Sequence, residues 1–97
     1  MSLNSFIDIL KNDQALAIRL AFIDFKIFYT GVLSRTDITS EFDISEITAT
    51  RIISKYKELR EKNLYYDNKS KKFELNELEY QSLVDFSSED ALKMLSE

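Results

Sequence analysis

The residues best suited to specific recognition lie in the stretch "SEITATRIISK", residues 45–55. Helical spacing turns the apolar side chains of such a stretch towards a core and the polar ones outward. Hydroxyl and guanidinium groups on the first turns of an exposed helix can read base edges in the major groove of DNA. The sequence therefore predicts a DNA-reading helix whose base-reading residues are Glu46, Ile47, Thr50, Arg51 and Ser54.

Each of these side chains has a chemical role to offer. Arg51 could pair with the two acceptors of a guanine, a contact worth about 1–3 kcal/mol of discrimination. Thr50 and Ser54 could donate to bases or phosphates. Ile47 could touch a thymine methyl or be partly buried, and Glu46 could accept from a cytosine amine or simply favour the helix N-terminus. For each residue alone an ordinary solvated side chain is an equal alternative, so the argument depends on the set.

A second polar group lies in "DNKSKK", residues 67–72, between two short alternating stretches. Lysines at the tip of a β-hairpin can neutralise the phosphates that flank a recognition helix. The alternative is that these lysines only keep a turn soluble. The predicted phosphate contacts are Arg35, Lys55, Tyr65, Lys69, Lys71 and Lys72.

The composition argues against catalysis. The chain contains no histidine and no cysteine, and Gly31 is its only glycine. This excludes the glycine-rich phosphate-binding and dinucleotide-binding motifs, and the acidic residues lack the spacing of a calcium loop. We therefore expect no enzyme, no catalytic residue, no metal and no cofactor.

The charge of the chain is uneven. The formal net charge is −4, yet residues 43–72 hold 8 basic and 5 acidic side chains, whereas residues 73–97 hold 1 basic and 7 acidic. Phosphate contacts depend on the local field, which salt screens beyond about 8–10 Å. A basic middle can thus act beside an acidic tail. The acidic tail also leaves open an alternative function, a winged-helix module that binds a protein partner and no DNA.

Length and hydropathy indicate one small domain in a reducing compartment. The 97 residues are 44% hydrophobic, which is enough for a compact core. The absence of cysteine suits the cytoplasm, and the N-terminus lacks a signal-peptide pattern. The most apolar run, residues 16–33, is interrupted by Arg19, Asp24 and Lys26, so we expect no membrane span.

The first half of the chain predicts two helices. The first covers residues 5–12, and Asp13 caps a second that runs to Thr30, where Gly31 fits a left-handed stop. The second helix carries a wide apolar stripe, which indicates a central core helix or, alternatively, a helix with part of its surface in a dimer seam. The stripe comprises Leu16, Leu20, Ile23 and Ile27.

The second half predicts a helix-turn-helix followed by a hairpin. A capping box at residues 34–37 starts a short helix to Phe42, and Ser45 caps a helix that fades near residues 62–63. The period then changes to two for a hairpin with strands at 64–67 and 72–75. The inward face of the longer helix is predicted to comprise Ala49, Ile52, Ile53, Tyr56 and Leu59.

This order predicts a mainly α fold with a small β-hairpin, a winged helix-turn-helix. We expect the DNA-binding domain to cover residues 1–76. Residues 77–97 are expected to be a linker, with a last helix over 88–96, that leads into a further domain.

Two segments, "RLAFIDFKIFYTGVLSRTDITSEFDISEITATRIISKYKEL" and "NLYYDNKSKKFEL", also carry a family resemblance. They resemble the N-terminal winged helix-turn-helix domain of WYL-domain transcriptional regulators, and in particular the repressors found beside bacterial anti-phage defence systems such as BREX and CBASS. The tail "LVDFSSEDALKML" resembles the linker helix of those regulators. The matching features are Arg19, Phe22–Phe25, Gly31, Arg35, Asp37, Phe42–Ser45, Ala49 and Tyr56.

The resemblance implies a homodimeric repressor that binds an inverted repeat in double-stranded DNA. The helix that starts at Ser45 and the wing around Lys69–Lys72 would make the contacts. Regulators of this kind also have a ligand-sensing WYL domain and a C-terminal extension, neither of which is found within these 97 residues.

Overall fold

A computed structural model describes residues 3–84, and the side chains from residue 6 onward. The predicted helix over residues 88–96 lies outside the described residues. No helix within this range is long and apolar enough to cross a membrane. The elements are α1 (Leu3–Asn12), α2 (Gln14–Thr30), β1 (Val32–Leu33), α3 (Arg35–Phe42), α4 (Glu46–Leu59), β2 (Leu64–Asp67) and β3 (Lys72–Leu75).

Both ends of α2 follow from local chemistry. The Asp13 carboxylate accepts a 3.1 Å hydrogen bond from the backbone N–H of Leu16, which satisfies one of the unpaired donors of the first turn. At the other end Gly31 adopts a φ of 80°, and its N–H donates to the Ile27 carbonyl. Glycine reaches this left-handed conformation without steric cost, so the predicted stop is confirmed.

The caps of the helix-turn-helix are also those predicted. Ser34 and Asp37 form a reciprocal capping box, with bonds of 2.9 Å and 3.2 Å, at the start of α3. The Ser45 hydroxyl accepts from the N–H of Thr48 at the start of α4. Between the two helices Asp43 adopts a φ of 54°, a left-handed turn that aspartate tolerates better than most residues. The sharp turn sets the angle between α3 and α4.

The sheet differs from the predicted hairpin by one strand. β2 and β3 pair antiparallel, and β1 adds to the far side of β3, giving the order β1-β3-β2. β1 has only two residues, Val32 opposite Glu74 and Leu33 opposite Phe73. Two residues carry no detectable period, so sequence patterning could not reveal this strand. β1 ties the wing, which we define as β2 and β3 with their connecting turn, to the end of α2.

The core forms around α2, whose Leu20, Ile23 and Ile27 are fully buried. The inner face of α4 packs against it through Ala49, Ile53 and Tyr56 and neighbouring residues, as the helical spacing predicts. Leu59, the last residue predicted on that face, is only half-buried. The remaining buried hydrophobic residues outside α2 and α4 are Phe6, Leu33, Ile38, Leu64, Phe73, Leu83 and Val84.

A buried carboxylate lies at the centre of this core. Asp24 is inaccessible to solvent, and its oxygens accept from the hydroxyls of Tyr56 (2.6 Å) and Tyr80 (3.1 Å). They also accept from the backbone N–H groups of Leu83 (3.0 Å) and Val84 (3.3 Å). Burial, together with the charge of Asp24, raises the pKa of Tyr56 well above its usual range, so this phenol keeps its proton and donates it. Burying a charged group costs free energy, and hydrogen bonds of this kind offset that cost.

A second layer of hydrogen bonds explains why α4 ends at Leu59 rather than near residues 62–63. Asn63 is buried, donates to the Tyr56 hydroxyl (2.9 Å) and exchanges two hydrogen bonds with the backbone of Gln81. The Arg60 guanidinium donates to the carbonyl of Ser82 (3.0 Å). Both side chains thus bind to residues 80–84, which we call the exit segment. Because these hydrogen bonds require a non-helical backbone, α4 ends before Arg60.

The exit segment belongs to the folded body. It contributes Leu83 and Val84 to the core and is held by Asp24, Arg60 and Asn63. Residues 80–84 lie within the range 77–97 that the sequence predicts as a linker, and the boundary of the domain stays a prediction. The arrangement beyond residue 84 stays a prediction.

Candidate nucleic-acid interface

The outer side of α4 presents a contiguous polar surface, which we call the reading face. Its residues are all exposed, and Ile47 is 68% exposed, so the alternative of a partly buried Ile47 is wrong. The opposite side of the same helix is held in the core by Ala49, Ile52, Ile53 and Tyr56. The outward orientation follows from this anchoring. The reading face comprises Glu46, Ile47, Thr50, Arg51 and Ser54, the five residues predicted to read bases.

Arg35 lies beside the reading face rather than at a distance from it. Its Nε donates a 2.9 Å hydrogen bond to the Thr50 hydroxyl. Both side chains are exposed, and the bond joins the first residue of α3 to the second turn of α4. A predicted phosphate contact and a predicted base reader are therefore already in contact. Sequence patterning could not show this bond, because the two residues are 15 positions apart.

Lys55 occupies the edge of α4 next to the reading face. Its side chain is 40% exposed, and its Nζ lies 3.7 Å from a carboxylate oxygen of Glu58. Exposed pairs of this kind contribute at most about 1 kcal/mol, because both ions remain hydrated. Lys55 is thus available for another anion at little cost.

The tip of the wing presents Lys69, Lys71 and Lys72, all exposed. The turn is organised by Asp67, whose carboxylate accepts from the N–H of Ser70 (2.9 Å) and whose carbonyl accepts from the N–H of Lys71 (2.9 Å). The hydrogen bond from Ser70 holds the pKa of Asp67 below its usual value. Lys71 adopts a φ of 62°, a conformation that is strained for a residue other than glycine. The turn therefore presents its lysines on an ordered frame.

Tyr65, the remaining predicted phosphate contact, is 50% exposed on the outer side of β2. Its hydroxyl donates to a carboxylate oxygen of Glu74 on the neighbouring strand at 3.3 Å. The charge of Glu74 raises the pKa of Tyr65. The phenolic proton is therefore already engaged, and an acidic group stands where a phosphate would approach.

The wing approaches α4 at Phe73. This side chain is buried, packs edge-on against the ring of Tyr66 at 5.0 Å, and lies below the ammonium of Lys57 at 5.9 Å. Cation–π contacts of this length are attractive, if weak, at a surface. The wing is held in place by β1 and α2, and it touches α4 at this position.

Sequence reasoning missed a cleft between α2 and α4. The cleft has a volume of about 320 Å³ and carries three cations, Arg19, Arg51 and Lys55, against one carboxylate, Asp13. In the sequence Arg19 interrupts an apolar run and takes part in the family resemblance, but no contact with DNA is predicted for it. We call this feature the basic cleft. Its lining residues are Asp13, the cap of α2, then Ala15, Leu16 and Arg19 from α2, and Thr48, Arg51, Ile52 and Lys55 from α4.

Comparison with known proteins identifies the family of this chain. The model of a family described as the BrxR transcriptional regulator winged helix-turn-helix domain matches residues 15–97. The DNA-binding transcriptional repressor CapW of Pseudomonas aeruginosa is 36% identical over 59 residues, which amount to 61% of this chain and 20% of that protein. The chain thus spans about a fifth of the length of this curated relative.

The family match covers most of the chain, including all of α3, α4 and the wing and all of α2 except its first residue. It confirms the predicted winged helix-turn-helix fold and the predicted resemblance to defence-associated regulators. It also confirms that the chain is a regulatory domain rather than an enzyme. The chain belongs to the BrxR family of transcriptional regulator winged helix-turn-helix domains.

Proposed function

We propose that this domain binds operator DNA in a sequence-specific manner and that the regulator containing it represses a defence-associated operon. The observation that carries the proposal is the two-sided character of α4. One side is locked into the core by Ile52, Ile53 and Tyr56, while the reading face is fully open to solvent. A helix held in this way can enter the major groove without any rearrangement of the fold.

Base reading is assigned to the reading face. Arg51 pairs with the acceptor edge of a guanine, and Ile47 supplies an exposed apolar surface suited to a thymine methyl. Thr50 and Ser54 donate hydroxyl hydrogen bonds to bases or to nearby phosphates, and Glu46 accepts from a cytosine amine. These contacts discriminate among sequences and therefore set the choice of operator.

Docking is assigned to the cations around the reading face. Arg35 lies at the N-terminus of α3, Lys55 at the edge of α4, and the wing lysines Lys69, Lys71 and Lys72 extend to one side. Tyr65 is the weakest member of this set, because Glu74 already accepts its proton. Contacts of this kind position the protein without reading sequence.

Repression is supported by the name of a relative, and the form of the operator is a proposal that follows from a proposed homodimer. The relative from Pseudomonas aeruginosa is named as a transcriptional repressor. A homodimer that binds an inverted repeat would bring two α4 helices into successive major grooves about 34 Å apart. We propose this arrangement in the cytoplasm, with double-stranded DNA as the partner.

Binding of the 97-residue chain to DNA from upstream of its own operon tests the proposal. The measurement is fluorescence anisotropy at 50 mM and 200 mM salt, with a shuffled duplex of the same composition as control. We expect tighter binding to the upstream sequence and a linear fall of log K with log salt. Equal affinity for both duplexes would contradict sequence-specific reading. The absence of any binding at low salt, by this chain and by the full-length regulator, would favour a protein-binding module instead.

A further inference from the structure

The basic cleft lies where one strand of bound DNA would pass. Its α4 side is formed partly by Arg51, which also belongs to the reading face, and by Lys55 one turn further along the helix. Its α2 side is formed by the first turns of that helix, up to Arg19. When the N-terminal half of α4 enters a major groove, the surface flanking the helix meets the sugar-phosphate backbone that borders the groove. The cleft is therefore a flank of the interface.

Arg19 is held in position before any ligand arrives. Its side chain is half-buried, and the guanidinium carbon lies 5.5 Å from the centre of the Phe42 ring. Phe42 in turn packs edge-on against Phe22 at 5.4 Å. A guanidinium stacked on an anchored ring loses less side-chain entropy on binding than a free one. The stack leaves the planar edge of the guanidinium able to donate hydrogen bonds to phosphate oxygens.

The negative groups near the cleft are weak competitors. The Asp13 carboxylate is exposed and already accepts from the N–H of Leu16 as the cap of α2. Glu58 is 69% exposed, and its 3.7 Å pair with Lys55 is of the solvated kind that contributes little. Three cations against one capping carboxylate leave the cleft electropositive. Its apolar floor of Ala15, Leu16 and Ile52 suits the carbon skeleton of a deoxyribose.

From this geometry we propose that the basic cleft is a phosphodiester site, in which Arg19 and Lys55 hold a backbone phosphate of the bound DNA on the α2 side of α4. The site rests on the proposed DNA-binding function and adds to it a residue, Arg19, that lies on no element of the helix-turn-helix unit. Arg35 and the wing supply the other phosphate contacts. The cleft makes α2 part of the interface and fixes the rotation of α4 in the groove.

The test is the salt dependence of DNA binding by variants of the 97-residue chain. Arg19→Gln keeps a polar side chain of similar length and removes the charge. We expect it to weaken binding roughly tenfold at low salt and to reduce the slope of log K against log salt by about 0.9. The loss should be the same on the operator and on the shuffled duplex, because a phosphate contact carries no sequence information. Arg19→Lys should restore most of the slope.

Lys62→Gln is the matched control. It makes the same change of charge on an exposed residue beyond the C-terminal end of α4, away from the cleft. We expect it to leave the slope within experimental error of the wild type. Thermal unfolding of each variant, followed by circular dichroism, checks that the packing of Arg19 on Phe42 is not what changes affinity.

Three outcomes would overturn the site. An unchanged slope in Arg19→Gln, with the wild type still binding DNA, removes Arg19 from the interface and leaves the proposed function intact. An equal reduction in Lys62→Gln shows a general effect of net charge. Binding of millimolar inorganic phosphate at Arg19, with an unchanged DNA salt slope, assigns the cleft to a small anion instead. Absence of DNA binding by both the wild-type chain and the full-length regulator would refute the proposed function itself.

Discussion

The Nε of Arg35 donates a 2.9 Å hydrogen bond to the hydroxyl of Thr50, and so joins the start of α3 to the middle of the reading face. The two helices of a helix-turn-helix are usually discussed as one that contacts the backbone and one that reads bases. In this protein a residue from each is hydrogen-bonded to the other across the exposed surface. The contributions of Thr50 and Arg35 to the free energy of DNA binding are therefore expected to be coupled.

This coupling can be measured with Arg35→Ala, Thr50→Val and the double variant. Each single change should alter the free energy of unfolding by no more than about 0.5 kcal/mol, because the bond is exposed. In DNA binding we expect an interaction energy of about 0.5–1.5 kcal/mol. Anisotropy titrations of the four proteins supply it. Strictly additive losses would contradict this coupling and would mean that Arg35 and Thr50 contribute independently to DNA binding.

Substitution of Arg51 and substitution of a wing lysine should have different effects on DNA binding. One duplex carries the operator sequence, and in the other the contacted guanine is replaced. Arg51→Ala should lower the difference in binding free energy between these two duplexes by about 1–3 kcal/mol. Lys72→Ala should weaken binding to both duplexes alike and lower the salt slope by about 0.9. Competition titrations with the two duplexes distinguish the effects. If preference survives in Arg51→Ala, another residue of the reading face recognises that base.

The buried carboxylate should dominate stability. In Asp24→Asn an amide nitrogen, which cannot accept a hydrogen bond, replaces one acceptor oxygen. The group that loses its acceptor is either the pair of Tyr56 and Tyr80 hydroxyls or the pair of Leu83 and Val84 amides. Because each buried donor left without a partner costs about 1–3 kcal/mol, we expect a loss of about 2–4 kcal/mol in the free energy of unfolding. Urea denaturation measures it, and Asp8→Asn, at an exposed position on α1, is the matched control. A loss below about 1 kcal/mol in Asp24→Asn would contradict the role of this carboxylate.

The phenol of Tyr56 predicts a specific alkaline instability. Its pKa is raised by burial and by the charge of Asp24, and that of Tyr80 is raised for the same two reasons. Above about pH 10 the unfolded chain releases protons that the folded chain retains, so stability falls as pH rises. The slope should reach about 1.4 kcal/mol per pH unit for Tyr56 alone, whereas below pH 10 its contribution should be constant.

Urea denaturation between pH 8 and pH 11 tests this dependence. Tyr56→Phe should be less stable than the wild type at pH 8 but should show a flatter alkaline slope. Tyr29→Phe, which removes a hydroxyl from a side chain that is 71% exposed, is the control and should keep the wild-type slope. The same slope in Tyr56→Phe and wild type would refute the assignment.

The strained lysine of the wing should separate stability from binding. Lys71 holds a φ of 62°, which costs a residue with a Cβ atom about 1–2 kcal/mol. Lys71→Gly removes this cost but adds about 0.4–1 kcal/mol of unfolded-chain entropy, so a net gain of about 0.5 kcal/mol in stability is expected. DNA affinity should fall for all sequences because a cation is lost. Lower stability together with lower affinity would contradict the strain argument.

Much of the fold could be predicted because the signals are local. The caps at Asp13, Ser34 and Ser45 and the stop at Gly31 each act within four residues of chain. The outward orientation of the reading face followed from helical spacing alone. These features depend on neighbouring residues, which a sequence displays directly.

The parts that sequence patterning missed depend on contacts between distant residues. The pairing of Leu33 with Phe73, the bond between Arg35 and Thr50, and the approach of Arg19 to Phe42 each join separate elements. In the sequence Asp24 interrupts an apolar run and lies within the stretch Phe22–Phe25 of the family resemblance. A single acid inside a core helix is also a sign of a buried polar network, which was not predicted. The partners of Asp24 in the exit segment lie 56–60 positions away.

The hydrogen bonds that hold Leu83 and Val84 to Asp24 have a mechanical consequence. Tension applied to the chain beyond residue 84 reaches the amides of Leu83 and Val84 and the carboxylate that holds them, and Tyr56 of α4 shares that carboxylate. A fusion partner joined after Val84 would therefore be coupled to α4 through these hydrogen bonds. A partner joined after Glu79 would lack these hydrogen bonds and would move independently of α4. Chimeric regulators built from this domain should therefore retain the exit segment.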